Sequence, residues 1–126
     1  MKALSSRSCV VGSRVDCAFD VTPDNTALLS GQSAVLRCRV NYGRSNLVYW
    51  YRRVNGGAEE VIASECTVWS QFTSVYNLTN DGRGQCDLVI RSVDASLTGA
   101  YSCHDGATQK AQAYLTIIGE CCSMCC

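Results

Sequence analysis

No run of this sequence approaches the roughly 18 consecutive apolar residues that a membrane-crossing helix needs, so no membrane span is expected in the chain. The opening MKALSSRSCVVGSRVDC has a basic start but no apolar stretch adequate for a secretory signal. Neither sign of charge is in excess: eleven Lys and Arg balance eleven Asp and Glu, and the pI is near 6.5. A nucleic-acid binder shows a basic face and a high pI, so no nucleic-acid partner is expected. Proline and histidine occur once each, as Pro23 and His104. No segment sustains a 3.6-residue apolar period, so helices should be rare. There is no low-complexity linker and no internal repeat, and 126 residues suit one domain.

Cysteine is the exception to this sparseness. Ten in 126 residues is far above ordinary usage. Cytosolic thiols stay reduced and are seldom used so freely, so an oxidising, extracellular setting is expected, secreted or on a cell-surface ectodomain. Asn77-Leu78-Thr79 is an N-glycosylation sequon and agrees with that setting.

The apolar pattern has period two. Ala34, Leu36 and Cys38 alternate with Val35 and Arg37; Val48, Trp50 and Arg52 with Tyr49 and Tyr51; Leu88 and Ile90 with Asp87 and Val89; Ala113, Leu115 and Ile117 with Tyr114 and Thr116. Such alternation sets one face against a core and the other outward. Turn signals fall between the runs, at Asn55-Gly56-Gly57 and at Asn80-Asp81-Gly82-Arg83-Gly84, the second reading as a hairpin. Many short strands with regular turns make an all-β sandwich or barrel.

One constellation narrows the fold. Cys38 lies in an alternating strand, Trp50 follows in the next, and Tyr101 stands two places before Cys103. This order resembles the Cys…Trp…Tyr-x-Cys arrangement of immunoglobulin domains. GQSAVLRCRV resembles the A′–B segment, VYWYRR strand C, and DLVIRSVDASLTGAYSC strands E to F, a likeness that runs from Phe19 to Ile118. The spacing between the two cysteines leaves room for strand C′ and for C″, so the resemblance is to the variable type, with the intermediate type as the alternative, in a germline-encoded adhesion or innate immune receptor.

The resemblance implies a Greek-key β-sandwich of two antiparallel sheets over residues 18–119, with an irregular extension at 1–17 and a Cys-rich tail at 120–126. It implies a Cys38–Cys103 bridge packed on Trp50, with Tyr101, Leu88 and Ile90 in the core. Two departures stand out. Leu97 occupies the place where variable domains usually carry an Asp that pairs with a basic residue of strand D, and Asp94 is out of register for it. The Phe/Trp-Gly-x-Gly bulge of rearranging antigen receptors is missing from the stretch 106–119, which sets this chain apart from antibodies and T-cell receptors.

Cys86 shares parity with Leu88 and should point inward; a Cys66–Cys86 bridge is expected, with two buried free thiols as the alternative. Cys9 and Cys17 could pair with each other or with the tail. The tail, Cys121-Cys122-Ser123-Met124-Cys125-Cys126, reads as a chain end that cross-links on oxidation, as an engineered tetracysteine tag, as a membrane-proximal stub, or as a soft-metal site. No metal or cofactor is expected.

Nor is catalysis. His104 follows a cysteine that should be bridged, and its same-face neighbour Ser102 does not by spacing alone form a hydroxyl–base pair. Glu59 and Glu60 point to opposite faces, and Gly82-Arg83-Gly84 reads as a turn. Binding has two candidate surfaces. The first is the outer face of the GFCC′ sheet, where Tyr49, Tyr51, Arg53, Ser102, His104, Gln112, Tyr114 and Thr116 should face out. Tyr and Arg are enriched at protein interfaces, so a protein ligand or a homodimer is the expected partner. The second is the loop end formed by 41–46 and 105–110, where Tyr42, Arg44, Asn46, Asp105 and Gln109 would meet a microbial carbohydrate. A purely structural domain of a longer receptor is the third reading.

Overall fold

The computed structural model describes residues 10–11, 14–15, 19–41, 47–105 and 109–118. Thirteen strands and two short 3-10 turns make up the secondary structure there. Three strands build one sheet, in the order β10 (Tyr76–Asn80), β11 (Cys86–Ile90), β5 (Ala34–Leu36). Six build the other: β4 (Thr26–Leu29), β13 (Lys110–Ile118), β12 (Gly99–His104), β7 (Tyr49–Val54), β8 (Glu60–Ser64) and β9 (Thr67–Val68). In immunoglobulin lettering these are D-E-B and A′-G-F-C-C′-C″. The two-residue strand β6 (Arg39–Val40) prolongs B and pairs with β3 (Phe19–Val21). Within the stretch expected to be irregular, β1 (Val10–Val11) pairs with β2 (Arg14–Val15).

The one proline marks where the first long strand changes sheets. Pro23 lies between β3, which pairs with β6, and β4, which runs parallel to β13. A residue without an N–H cannot continue a ladder, so pairing ends there and resumes on the other sheet. Asn80–Gly84 forms the expected hairpin: Asn80 Oδ1 accepts from Gly82 N at 2.7 Å, and Asp81 Oδ1 accepts from Arg83 N and Gln85 N at 2.7 and 3.1 Å. At Asn55-Gly56 both residues take positive φ, 53° and 72°, as a tight turn between β7 and β8 requires.

The core is what alternation implied. Leu36, Cys38, Trp50, Leu88, Ile90, Tyr101, Cys103 and Leu115 are all fully buried. Cys38 is bonded to Cys103, joining the two sheets, and Cys66 to Cys86. Among the described residues every cysteine is in one of these bridges. Cys9, Cys17 and the tail cysteines lie outside the described residues.

Cys38 and Cys86 face each other across the B–E ladder, and the ladder is altered there. Cys86 N donates to Cys38 O at 2.8 Å, but the return bond is absent because Trp50 Nε1 donates to Cys86 O at 2.9 Å. The orphaned Cys38 N donates instead to Asp87 Oδ1 at 3.0 Å, while Gln85 Nε2 donates to Oδ2. Asp87, read as an outward residue, is therefore 6% exposed. A buried N–H must find an acceptor, and the tryptophan that packs on the bridge has taken the usual one.

Leu97 does leave the family's ion pair unformed, and a phenol chain stands in its place. Tyr101 Oη donates to Leu97 O at 2.8 Å and lies 3.0 Å from Tyr76 Oη, which accepts from Arg52 at 2.8 Å. Burial pushes the Tyr101 phenol far above its usual pKa, so it stays a donor. Arg52 also bonds Glu60 at 2.8 Å and lies over the Phe72 ring. Burial works against its charge, but the Tyr76 and Glu60 bonds outweigh it and raise its pKa. Asp94, out of register for the ion pair, instead accepts from Ser96 N at the start of the 3-10 turn Ala95–Leu97.

Candidate protein-binding face

Register turns the outer face of the six-stranded sheet into a grid of rows. Lys110, His104 and Tyr49 form one row; Gln112, Ser102, Tyr51 and Val61 the next; Tyr114, Ala100 and Arg53 the third. Their parity is opposite to that of buried Trp50, Cys103 and Leu115, which is why they face out.

Tyr51 and His104 sit on adjacent strands and stack, ring centroids 4.2 Å apart. His104 Nε2 is 3.1 Å from Ser102 Oγ. Spacing alone did not establish this contact; it is made on the face where the His104 ring also meets that of Tyr51. Ser102 is also not the exposed contact expected, being 3% exposed, with Tyr51 and Gln112 opposite it in register. Tyr49 and Tyr51 are half-buried, and Arg53, Gln112, Thr116 and Tyr114 are exposed. Tyr114, 50% exposed, does not join the other tyrosines: Ala100 separates it from Arg53 in its row, and its N–H donates to Asn25 Oδ1 at 2.8 Å.

Small Ala100 and recessed Ser102 leave a shallow groove of about 140 Å³, walled by Arg53, Glu59, Lys110 and Gln112. That is under half the roughly 300 Å³ at which small-molecule sites begin. Glu59 and Lys110 were not expected here. Lys110 was read as loop, yet it opens β13 and shares parity with Gln112, a signal the sequence held. Glu59 immediately precedes β8, where Glu60 pairs with Arg52 and Val61 with Tyr51, and it lines the groove beside Arg53.

Partial burial lowers the His104 pKa; Glu59 opposes that shift, Lys110 reinforces it and Asp105 opposes it. A base with a lowered folded-state pKa binds fewer protons folded than unfolded once pH drops below about 6.5. Its stability contribution is thus complete above about pH 6.5 and is lost as pH falls through the lower folded value. We expect the His104 imidazole to titrate by NMR with a midpoint below 6.5, and His104→Gln to flatten the acid side of the melting profile. A midpoint above 7 would contradict the burial seen here.

The loop end offers less. Tyr42, Arg44 and Asn46 lie outside the described residues. Asp105, expected at the surface to meet a ligand, is instead buried: its Oδ1 accepts from Gln109 N and its own N donates to Gln109 O, both at 3.1 Å. Closing the base of the F–G loop takes the carboxylate out of solvent. Gln109 is exposed. Among the described residues no His, Cys, Asp and Glu group is arranged to hold a metal, and no helix is long and apolar enough to cross a membrane.

Comparison with known proteins agrees with this geometry. Among solved structures, the one titled the crystal structure of the RIG-5 IG1 homodimer superposes with a TM-score of 0.65 at 20% identity, covering 79% of this chain and 94% of that one. No curated protein sequence matches the chain at a significant level. The model of the immunoglobulin V-set domain matches residues 21–116. With that match over most of its length, the two-sheet topology and the bridged core, the chain belongs to the immunoglobulin V-set family.

Proposed function

We propose that this domain works outside the cell as a recognition module, binding a protein through the outer GFCC′ face, with a second copy of itself as the first candidate partner. The observation that carries this reading is the Tyr49–His104–Tyr51 cluster, aromatic and half-exposed beside a shallow groove. Half-exposed tyrosines next to arginine are the composition of interface hot spots. Arg53, Glu59 and Lys110 put both signs of charge on one face, which a two-fold interface can match against itself. The structural neighbour described as a homodimer supports the same choice. Two disulfides support the extracellular setting.

Sedimentation across a wide concentration range tests the homodimer. Tyr51→Ala is then expected to weaken association by about 2 kcal/mol or more, the size of a hot spot, while the melting temperature changes far less because the ring lies outside the core. A variant that folds and associates like the parent would move the binding site off this face. Monomeric behaviour at all concentrations would leave the same substitution to be read on a captured protein partner.

A further inference from the structure

The outer face of the other sheet carries an exposed apolar strip with a glycosylation sequon at its edge. Asn77 on β10 is in register with Val89 on β11, and Val89 with Val35 on β5. Val35 is 52% exposed, which is unusual for a valine on a sheet, and Val89 is half-buried. The strand splits the sequon in two. Leu78 packs against the core opposite Leu88, while Asn77 and Thr79 both point outward. Asn77 Oδ1 accepts from Leu78 N at 2.9 Å, which leaves Nδ2, the nitrogen that carries a glycan, on the solvent side. Among the described residues β10 is moreover an edge strand, paired only with β11. Exposed valines beside an edge strand invite pairing with other chains.

We propose that Asn77 carries an N-linked glycan whose first sugars lie along this row over Val89 and Val35, sealing the D-E-B face against protein contact. Val35 is two strand spacings from Asn77, about 10 Å, within reach of a short run of sugars. In the transfer, Nδ2 attacks C1 of an oligosaccharide held on a polyprenyl diphosphate. The N–C1 bond forms, the C1–O bond breaks, the diphosphate leaves with the electron pair, and the amide gives up one proton. The site does not depend on the reading of the GFCC′ face. It leaves that face as the side from which a partner can approach.

The test is production of the whole chain behind a secretory leader in glycosylating cells. Intact mass should fall on treatment with peptide-N-glycosidase for the parent and for Thr79→Ser, and should not change for Asn77→Gln or Thr79→Ala. The two unglycosylated variants, each checked by circular dichroism for native fold, should be retained longer on a hydrophobic matrix and self-associate more. Adding Val35→Thr and Val89→Thr to Asn77→Gln should reverse both effects. No mass change in the parent overturns the proposal. A glycan whose loss leaves retention unchanged, or retention that the two threonines do not reverse, overturns the covering of Val35 and Val89. Tyr51→Ala in the glycosylated protein should leave the mass released by the glycosidase, and the rise in retention on adding Asn77→Gln, as in the parent, so the two surfaces are judged separately.

Discussion

Replacing Cys38 and Cys103 together by alanine is expected to lower the unfolding free energy by about 4 kcal/mol, from the loop-closure entropy of the 65-residue separation. That is a large share of the roughly 5–15 kcal/mol that holds a domain together. The double replacement is the right variant because replacing Cys103 alone would leave the Cys38 thiol facing the Cys66–Cys86 bridge, free to exchange with it: Cys38 and Cys86 are cross-strand partners. Urea denaturation would show a lower midpoint, and a steeper dependence on urea if the unbridged unfolded chain exposes more surface. A midpoint within experimental error of the parent would mean that Trp50 and its neighbours hold the sheets together without the bridge.

Gly99→Ala should cost about 3 kcal/mol or more. Gly99 opens β12 directly opposite Val54, and a methyl group there would run into the Arg53 carbonyl oxygen and come within 2.7 Å of Val54 Cα. Both are backbone atoms of the central strand pair, so no side-chain rotation relieves the clash, and overpacking against fixed neighbours is costly. Thermal melting reads the loss. Alanine scanning of Gly31 is the control, because a methyl group there meets nothing within 4 Å and only the backbone conformation is strained. If Gly99→Ala melts no lower than Gly31→Ala, the close approach of β7 and β12 at this point is wrong.

The sequence made the sandwich legible because alternation is a one-dimensional signal. Trp50 inward forces Tyr49 and Tyr51 outward whatever the neighbouring strand does. The same rule placed Leu36, Leu88 and Leu115 in the core. It reached Cys86, and with it the bridge to Cys66. It failed where the answer depended on what lies beside a residue. Ser102 has outward parity but is hidden by Tyr51, Gln112 and His104. Asp87 has outward parity but is drawn in by a Cys38 amide whose usual acceptor an indole has taken. Asp105 sits in a loop, yet the amide of Gln109 pulls it inside. Each of these depends on a cross-strand or loop neighbour that spacing along one strand does not reveal. Glu59 reached the groove because β8 pairs with β7 so that the residue before Glu60 comes beside Arg53, a pairing that the sequence of one strand does not show.

The parallel pairing of β4 with β13 has a mechanical consequence. Thr26 to Leu29 run alongside Leu115 to Ile118 in the same direction. Tension applied at the leading end of β4 and the trailing end of β13 therefore slides one strand along the other, and the hydrogen bonds between them must give way together rather than one after another. Past that point the Cys38–Cys103 bridge takes the strain, and the residues between the two cysteines cannot extend while it is intact. At the 3.3–3.6 Å per residue of a stretched chain, about 220 Å of contour length is held back by one covalent link.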